Sequence, residues 1–248
     1  MALRSFAHGT LFAQVTGMSP SRVLALHGWA RRGSDFASVL HGIDAIAPDL
    51  PGFGTSPVPD EVSGAEGYAK AVEPLLDEFD EPPVLLGHSF GGRVAVCLAA
   101  AYPDRVGPLV LSGVPLVRTT LSSRPSLAYR TVKALNRVGI VSDAHLEAQK
   151  RKRGSADYRA VSGVMRDILV KVVNESYEEQ LLQLRSPVHL IWGELDGEVP
   201  LVVAETSRDI MKDAGVKATL TVLPDVGHLT PVEAPDQLRQ AVVEALNP

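Results

Sequence analysis

The chain has 248 residues, 45% hydrophobic and 21% charged, an ordinary globular composition long enough to bury a sizeable core. A net charge of -5 excludes a general electrostatic footprint for nucleic acid. The single cysteine excludes an intramolecular disulfide, and the first 17 residues lack an apolar signal core. No stretch reaches the roughly 18 apolar residues of a membrane span, so a cytoplasmic protein is expected.

In chain order, Arg4–Phe6 and Leu11–Val15, joined around His8-Gly9-Thr10, predict an opening hairpin. Val23–Leu26, Asp44–Ala47, Val84–Leu86, Leu109–Ser112, Val188–Ile191 and Thr219–Leu223 predict buried strands. They are short, β-branched or Leu-rich, and bounded by Gly, Pro or Asp. Between them Ser34–Leu40, Gly64–Phe79, Phe90–Tyr102, Leu201–Ala214 and Pro235–Leu246 read as helices. This alternation implies an α/β fold, a mostly parallel sheet with helices on both faces. Cys97 falls in the apolar helical run Val94–Leu98 and reads as a small core residue.

The alternation breaks between Pro115 and Arg185, where the sequence is polar and amphipathic and shows no convincing strand. It reads as a helical lid, or cap, over the carboxyl edge of the sheet. The division is then a core of residues 1–114 and 186–248 and a lid of residues 115–185. The lid carries 13 Lys plus Arg against 7 Asp plus Glu, whereas the remainder carries 11 against 22. A basic lid over an acidic body favours substrates bearing a carboxylate or phosphate. The plainer alternative is a solvated helix face, and Lys150-Arg151-Lys152-Arg153 fits it.

The chemistry concentrates where Val84-Leu85-Leu86 runs into Gly87-His88-Ser89-Phe90-Gly91-Gly92 and on into Arg93–Leu98. This is strand, Gly-x-Ser-x-Gly, helix, a context that makes Ser89 a candidate nucleophile. So sharp a turn needs a strained backbone at Ser89, and the small residues on either side let strand and helix approach. The following helix aims its N-terminal amides at developing negative charge. His88 reads as a packing residue, because neighbours on a tight turn point apart.

A serine hydroxyl needs a base, usually an imidazole held by a carboxylate. Of seven histidines, His8 and His41 lie in early turns, His145 in the lid and His189 inside a strand. His228, in Asp225-Val226-Gly227-His228-Leu229, follows the last strand and precedes the final helix, at the carboxyl edge where Ser89 lies. The acid candidate is Asp196, on the loop after Val188–Ile191. Glu194 and Glu198 are rivals better read as solvated loop charges, and Asp225 lies too close to His228.

Together these residues resemble the α/β-hydrolase superfamily, over nearly the whole chain outside the lid. The chain order Ser89, Asp196, His228 matches the family's nucleophile, acid and histidine. Leu26-His27-Gly28-Trp29 resembles its oxyanion loop, and Asp49-Leu50-Pro51-Gly52-Phe53-Gly54-Thr55-Ser56 its Gly-rich turn. Trp192-Gly193-Glu194-Leu195-Asp196, and Gly227-His228 followed by Glu233-Ala234-Pro235, resemble its acid and histidine motifs. The resemblance implies a Ser-His-Asp hydrolase with an oxyanion hole made by the backbone N–H groups of Trp29 and Phe90.

Departures narrow the chemistry. Ser89 stands where epoxide- and halide-processing members carry aspartate. Gly197-Glu198 replaces the lysine that hydroxynitrile lyases tend to carry after the acid. Leu229 replaces the aromatic that carbon–carbon hydrolases often place after the histidine. A small-molecule carboxylic ester is therefore the expected substrate, with thioesters and lactones close behind. A carbon–carbon hydrolase or lyase using the same triad, and a low-turnover binding protein on this fold, are the alternatives. No His-Glu-x-x-His or paired-cysteine spacing is present, and Gly52-Phe53-Gly54 lacks the third glycine of a dinucleotide fingerprint. Neither metal nor organic cofactor is expected.

Overall fold

A computed structural model describes residues 2–18, 20–118 and 160–247. Eight strands form one sheet: β1 (Ala2–Phe6), β2 (Leu11–Thr16), β3 (Val23–Leu26), β4 (Ala45–Asp49), β5 (Val84–His88), β6 (Leu109–Ser112), β7 (Val188–Gly193) and β8 (Ala218–Leu223). Their order is β1-β2-β4-β3-β5-β6-β7-β8. The opening hairpin pairs antiparallel, β2 meets β4 antiparallel, and every later pair is parallel.

Side chains alternate across the pleat. Val23 and Ala25 of β3 face one core while Leu24 and Leu26 face the other; Val84 and Leu86 of β5 are likewise opposed to Leu85. Burial on both faces is why these strands read as unbroken apolar runs. Helices α1 (Ala65–Val72), α2 (Phe90–Ala101), α3 (Gly163–Val172), α4 (Glu178–Gln183), α5 (Leu201–Asp213) and α6 (Pro235–Leu246) supply the covering layers. Tyr68, Val94, Ile168 and Met211 fill one side; Leu238 and Val242 of α6 join Phe36, Val39 and Leu40 on the other. Cys97 is buried among them, and burial pushes its thiol up to about 12.

Two expected helices are shorter than their sequence pattern. Ser34–Leu40 forms a 3-10 turn at Gly33–Phe36 followed by further tight turns. A Cβ at Gly33 would sit 2.0 Å from the Ala47 carbonyl oxygen, and Asp49 takes the Gly33 amide, so contacts to β4 dictate this short segment. Gly64–Phe79 is α-helical only to Val72 and continues as a 3-10 helix at Glu73–Glu78. Pro74 has no N–H and crowds the carbonyl four residues earlier, which ends the α-helical ladder.

The long connection between β6 and β7 contains α3 and α4, and its ends meet at the base. The Tyr177 amide donates to the Leu116 carbonyl at 2.9 Å. Arg93 of α2 donates to the Val172 carbonyl at 2.7 Å and lies 5.7 Å from the Tyr177 ring centroid. Tyr177 in turn donates to Glu175 at 2.8 Å, and the Glu175 carboxylate accepts the first amide of α1 at 3.1 Å. α4 packs against α2 and α5. His145 and the Lys150-Arg151-Lys152-Arg153 run lie outside the described residues.

The chain leaves β3 towards one edge of the sheet and leaves β5 towards the other, so the strand order reverses between them. In parallel sheets this reversal opens a crevice at the carboxyl ends, here between the Gly28-Trp29 loop and Ser89. The Arg93 bond ties α2, which starts in that crevice, to α3. Arg93→Ala removes a charged hydrogen bond from a buried site and is expected to cost about 2–3 kcal/mol. Urea unfolding reads this as a lowered midpoint; an unchanged midpoint contradicts it.

Candidate active site

Ser89 sits between β5 and α2 at φ 50°, ψ -115°, a strained conformation for a residue with a Cβ. Its amide donates to the Ser112 carbonyl at 2.9 Å, which fixes the turn to β6. The flanking glycines are demanded by space. A Cβ at Gly87 would stand 2.5 Å from Gly92 Cα, and one at Gly91 would stand 2.0 Å from the Leu26 carbonyl oxygen. The sequence expectation of a strained serine between two close approaches matches this geometry.

The register brings three carboxyl-end loops to this turn. His228 Nε2 lies 3.1 Å from Ser89 Oγ, and His228 Nδ1 lies 2.9 Å from Asp196 Oδ2. The Asp196 side chain is almost fully enclosed, and its other oxygen accepts the amides of Glu198 (3.0 Å) and Val199 (2.8 Å). The acceptor at Nδ1 assigns a proton to that nitrogen, leaving Nε2 free to take one from the hydroxyl. Gly113, at φ 59°, closes the back of this relay: a Cβ there would lie 3.0 Å from the His228 ring.

Burial lowers the His228 pKa, but the Asp196 hydrogen bond and charge, then the charges of Glu198 and Glu233, outweigh it, and the net shift is upward from 6.5. The two neighbouring histidines behave oppositely. His88 donates from Nδ1 to the Ser112 carbonyl at 3.1 Å, with its ring 5.0 Å from that of His228. Burial, then the charge His228 carries when protonated, holds it down to about 3, so it packs as a neutral ring. His27 accepts the Leu50 amide at Nε2 (2.9 Å), and burial holds it at about 4.

Of the rival carboxylates, Glu194 and Asp225 form no hydrogen bond with His228, and Asp225 takes a positive φ of 59° in the turn after β8. Glu198 is different. Its Oε2 is 3.6 Å from His228 Nε2, on the serine side of the ring, while 70% of its side chain is exposed.

Trp29 and Phe90 form an aromatic cluster with Phe53 and Tyr68. Trp29 lies 4.9 Å from Phe53 and 5.4 Å from Phe90, and Phe90 lies 4.9 Å from Tyr68, all edge-on. No described residue accepts a hydrogen bond from the Trp29 or Phe90 amide. Phe90 opens α2, so its amide is one of the unpaired N–H groups of a helix start.

Three supports escaped the sequence reading. The Glu233 carboxylate accepts the amides on both sides of His228, from Gly227 at 2.7 Å and Leu229 at 3.0 Å. Asp49 bridges the Gly33 amide (2.9 Å) and the Thr55 amide (2.8 Å), joining the loop after β3 to the Gly-rich turn after β4. Gly113 was not singled out. Asp49 lies just before the Gly52-Phe53-Gly54 turn, whose free amides need an acceptor, and that was its signal; Glu233 lies six residues after Gly227 and carries no comparable local signal.

The chain belongs to the alpha/beta hydrolase family, whose model matches residues 23–241. It is 27% identical to Lipase LipV of Mycobacterium tuberculosis, over 92% of this chain and 94% of that protein. It is 28% identical to a 2-hydroxy-6-oxononadienedioate/2-hydroxy-6-oxononatrienedioate hydrolase of Cupriavidus pinatubonensis, over 93% of this chain and 88% of that protein. Among solved structures, an esterase from Exiguobacterium antarcticum matches with TM-score 0.73 at 17% identity, over 99% of both chains.

Because the folded pKa of His228 is raised, its imidazolium contributes stability below pH 6.5 that is lost as pH rises through the folded value. Asp196→Asn removes the largest raising influence. An NMR titration of the His228 ring is expected to give a midpoint above 6.5 in the wild type and a lower one in the variant. Equal midpoints contradict the coupling.

Proposed function

We propose that the chain is a serine hydrolase that cleaves small or medium carboxylic esters through Ser89, His228 and Asp196. The observation that carries this reading is the continuous hydrogen-bonded relay from Ser89 Oγ through both nitrogens of His228 to Asp196. His228 takes the Ser89 proton as Oγ bonds to the carbonyl carbon, and the amides of Trp29 and Phe90 receive the oxyanion. Such donors are typically worth about 3–4 kcal/mol each. The intermediate collapses as His228 passes that proton to the leaving oxygen, releasing an alcohol and leaving an acyl-serine. Water, deprotonated by His228, attacks the acyl carbon; the acyl–Oγ bond then breaks, releasing the carboxylic acid, as His228 returns the proton to Ser89 Oγ. Asp196 holds the tautomer throughout.

Residues 115–185 serve as the lid in this reading, with α3 and α4 as its footing on α2. Support comes from α3, where Met165 packs directly against Gly52 of the Gly-rich turn. The excess of 13 basic over 7 acidic residues in this stretch favours an acyl chain that carries an anionic group. Raising salt is then expected to weaken apparent affinity for esters with anionic acyl chains more than for neutral ones; equal effects contradict the steering.

A second reading, a carbon–carbon hydrolase using the same triad, draws support from a relative named as a hydrolase of 2-hydroxy-6-oxononadienedioate, an oxo diacid with no ester. The same relay then cleaves a diketone acid, and activity on such an acid with none on esters would establish it. No described helix is long and apolar enough to cross a membrane.

The test is a p-nitrophenyl ester chain-length series on the wild type and on Ser89→Ala. Turnover is expected to peak at one acyl length and to fall by at least about 1000-fold in the variant. Activity retained in Ser89→Ala contradicts the proposed nucleophile.

A further inference from the structure

The Nε2 edge of His228 has two neighbours: Ser89 Oγ at 3.1 Å and the Glu198 carboxylate at 3.6 Å. In the mechanism proposed above, Nε2 is the atom that hands a proton to the leaving oxygen. Groups around that nitrogen therefore border the alcohol half of an ester, as opposed to its acyl half. Resting on that reading, we propose that Glu198 is a specificity-determining residue that selects the charge of the alcohol half. It favours esters of cationic alcohols and disfavours esters of anionic ones.

Each other charged group near the ring is already engaged. Asp196, on the loop after β7, is enclosed and bonded through both oxygens. Glu233, after β8, accepts the Gly227 and Leu229 amides. His88, at the end of β5, is neutral. Arg31, after β3, is paired with Asp35 at 2.7 Å. The Glu198 carboxylate accepts no hydrogen bond from a described residue, whereas its backbone amide is held 3.0 Å from Asp196 Oδ1. The residue is thus fixed at its base and presents a carboxylate, 70% exposed and 3.6 Å from His228 Nε2, that no hydrogen bond from a described residue holds.

Position decides what that charge does. A carboxylate at Nε2 cannot orient the ring as Asp196 does from Nδ1, because Nε2 must release its proton to the substrate. It can attract or repel a charge carried by the departing alcohol. Beside a side chain that is 70% exposed, unit charges about 5 Å apart change an equilibrium by roughly fourfold or more in each direction, so a cation-to-anion preference of about tenfold is expected. Salt should erode it.

The test uses three butyrate esters with the same two-carbon spacer: those of choline (cationic), its isostere 3,3-dimethylbutan-1-ol (neutral) and the smaller 3-hydroxypropanoate (anionic). Acid release in a pH-stat at low salt gives kcat/KM for wild type, Glu198→Gln and Ser89→Ala. Glutamine keeps the size and the backbone anchor while removing the charge. The wild type is expected to prefer the choline ester over the hydroxypropanoate ester by about tenfold or more, with the neutral ester between. Glu198→Gln is expected to lower that ratio by about tenfold. Ser89-dependent turnover with the same ratio in Glu198→Gln overturns the Glu198 proposal alone. Absence of turnover in the wild type, or its persistence in Ser89→Ala, overturns the serine-ester reading and this proposal with it.

Discussion

The arrangement depends on one backbone constraint, the positive φ of Ser89 between β5 and α2. A residue with a Cβ holds that conformation only when its surroundings leave no alternative. Here the constraint comes from contacts at both sides: the Gly87 to Gly92 approach, the Gly91 to Leu26 carbonyl approach, and the Ser89 amide bonded to β6. The consequence is that Oγ meets His228 Nε2 at 3.1 Å, at the carboxyl edge where the strand order reverses. The same turn starts α2 immediately after the serine, which leaves the Phe90 amide unpaired beside it.

Everything around the serine limits where charge can go. His88 and His27 are kept neutral by burial, with values of about 3 and about 4, so they act as hydrogen-bonded spacers at neutral pH. Asp49 and Glu233 satisfy the amides of turns that have no strand partner. His228 alone of the three histidines is pushed upward, because Asp196 faces it directly. An imidazole held above its ordinary value, beside a hydroxyl, is suited to accept a proton and return it.

Much of this was legible in the sequence because the relevant signals are local. Strands β3, β5 and β6 announced themselves as short apolar runs, since burial on both faces leaves no polar alternation, whereas β8, expected to be buried, exposes Thr219, Thr221 and Val222. Ser89 was legible because the glycines of Gly87-His88-Ser89-Phe90-Gly91 report a close approach of strand and helix. Asp196 and His228 followed from their positions after β7 and β8. What escaped depends on distance in three dimensions. The shortening of Ser34–Leu40 is set by β4, and the role of Glu233 by two amides flanking His228. Glu198 read as a solvated charge, and its exposure agrees with that, but its 3.6 Å approach to His228 needed the folded loop to appear. The same distance is the observation on which the proposed role of Glu198 rests.

The most direct measurement is covalent capture of the serine. Incubation with a p-nitrophenyl alkylphosphonate, followed by intact-mass and peptide-mass spectrometry, reads which atom is nucleophilic without any assumption about the natural substrate. A single adduct on the peptide carrying Ser89, formed far more slowly in His228→Ala, is the predicted result. Adduct on another residue, or labelling of Ser89 at the same rate without His228, would contradict a histidine-activated Ser89 nucleophile.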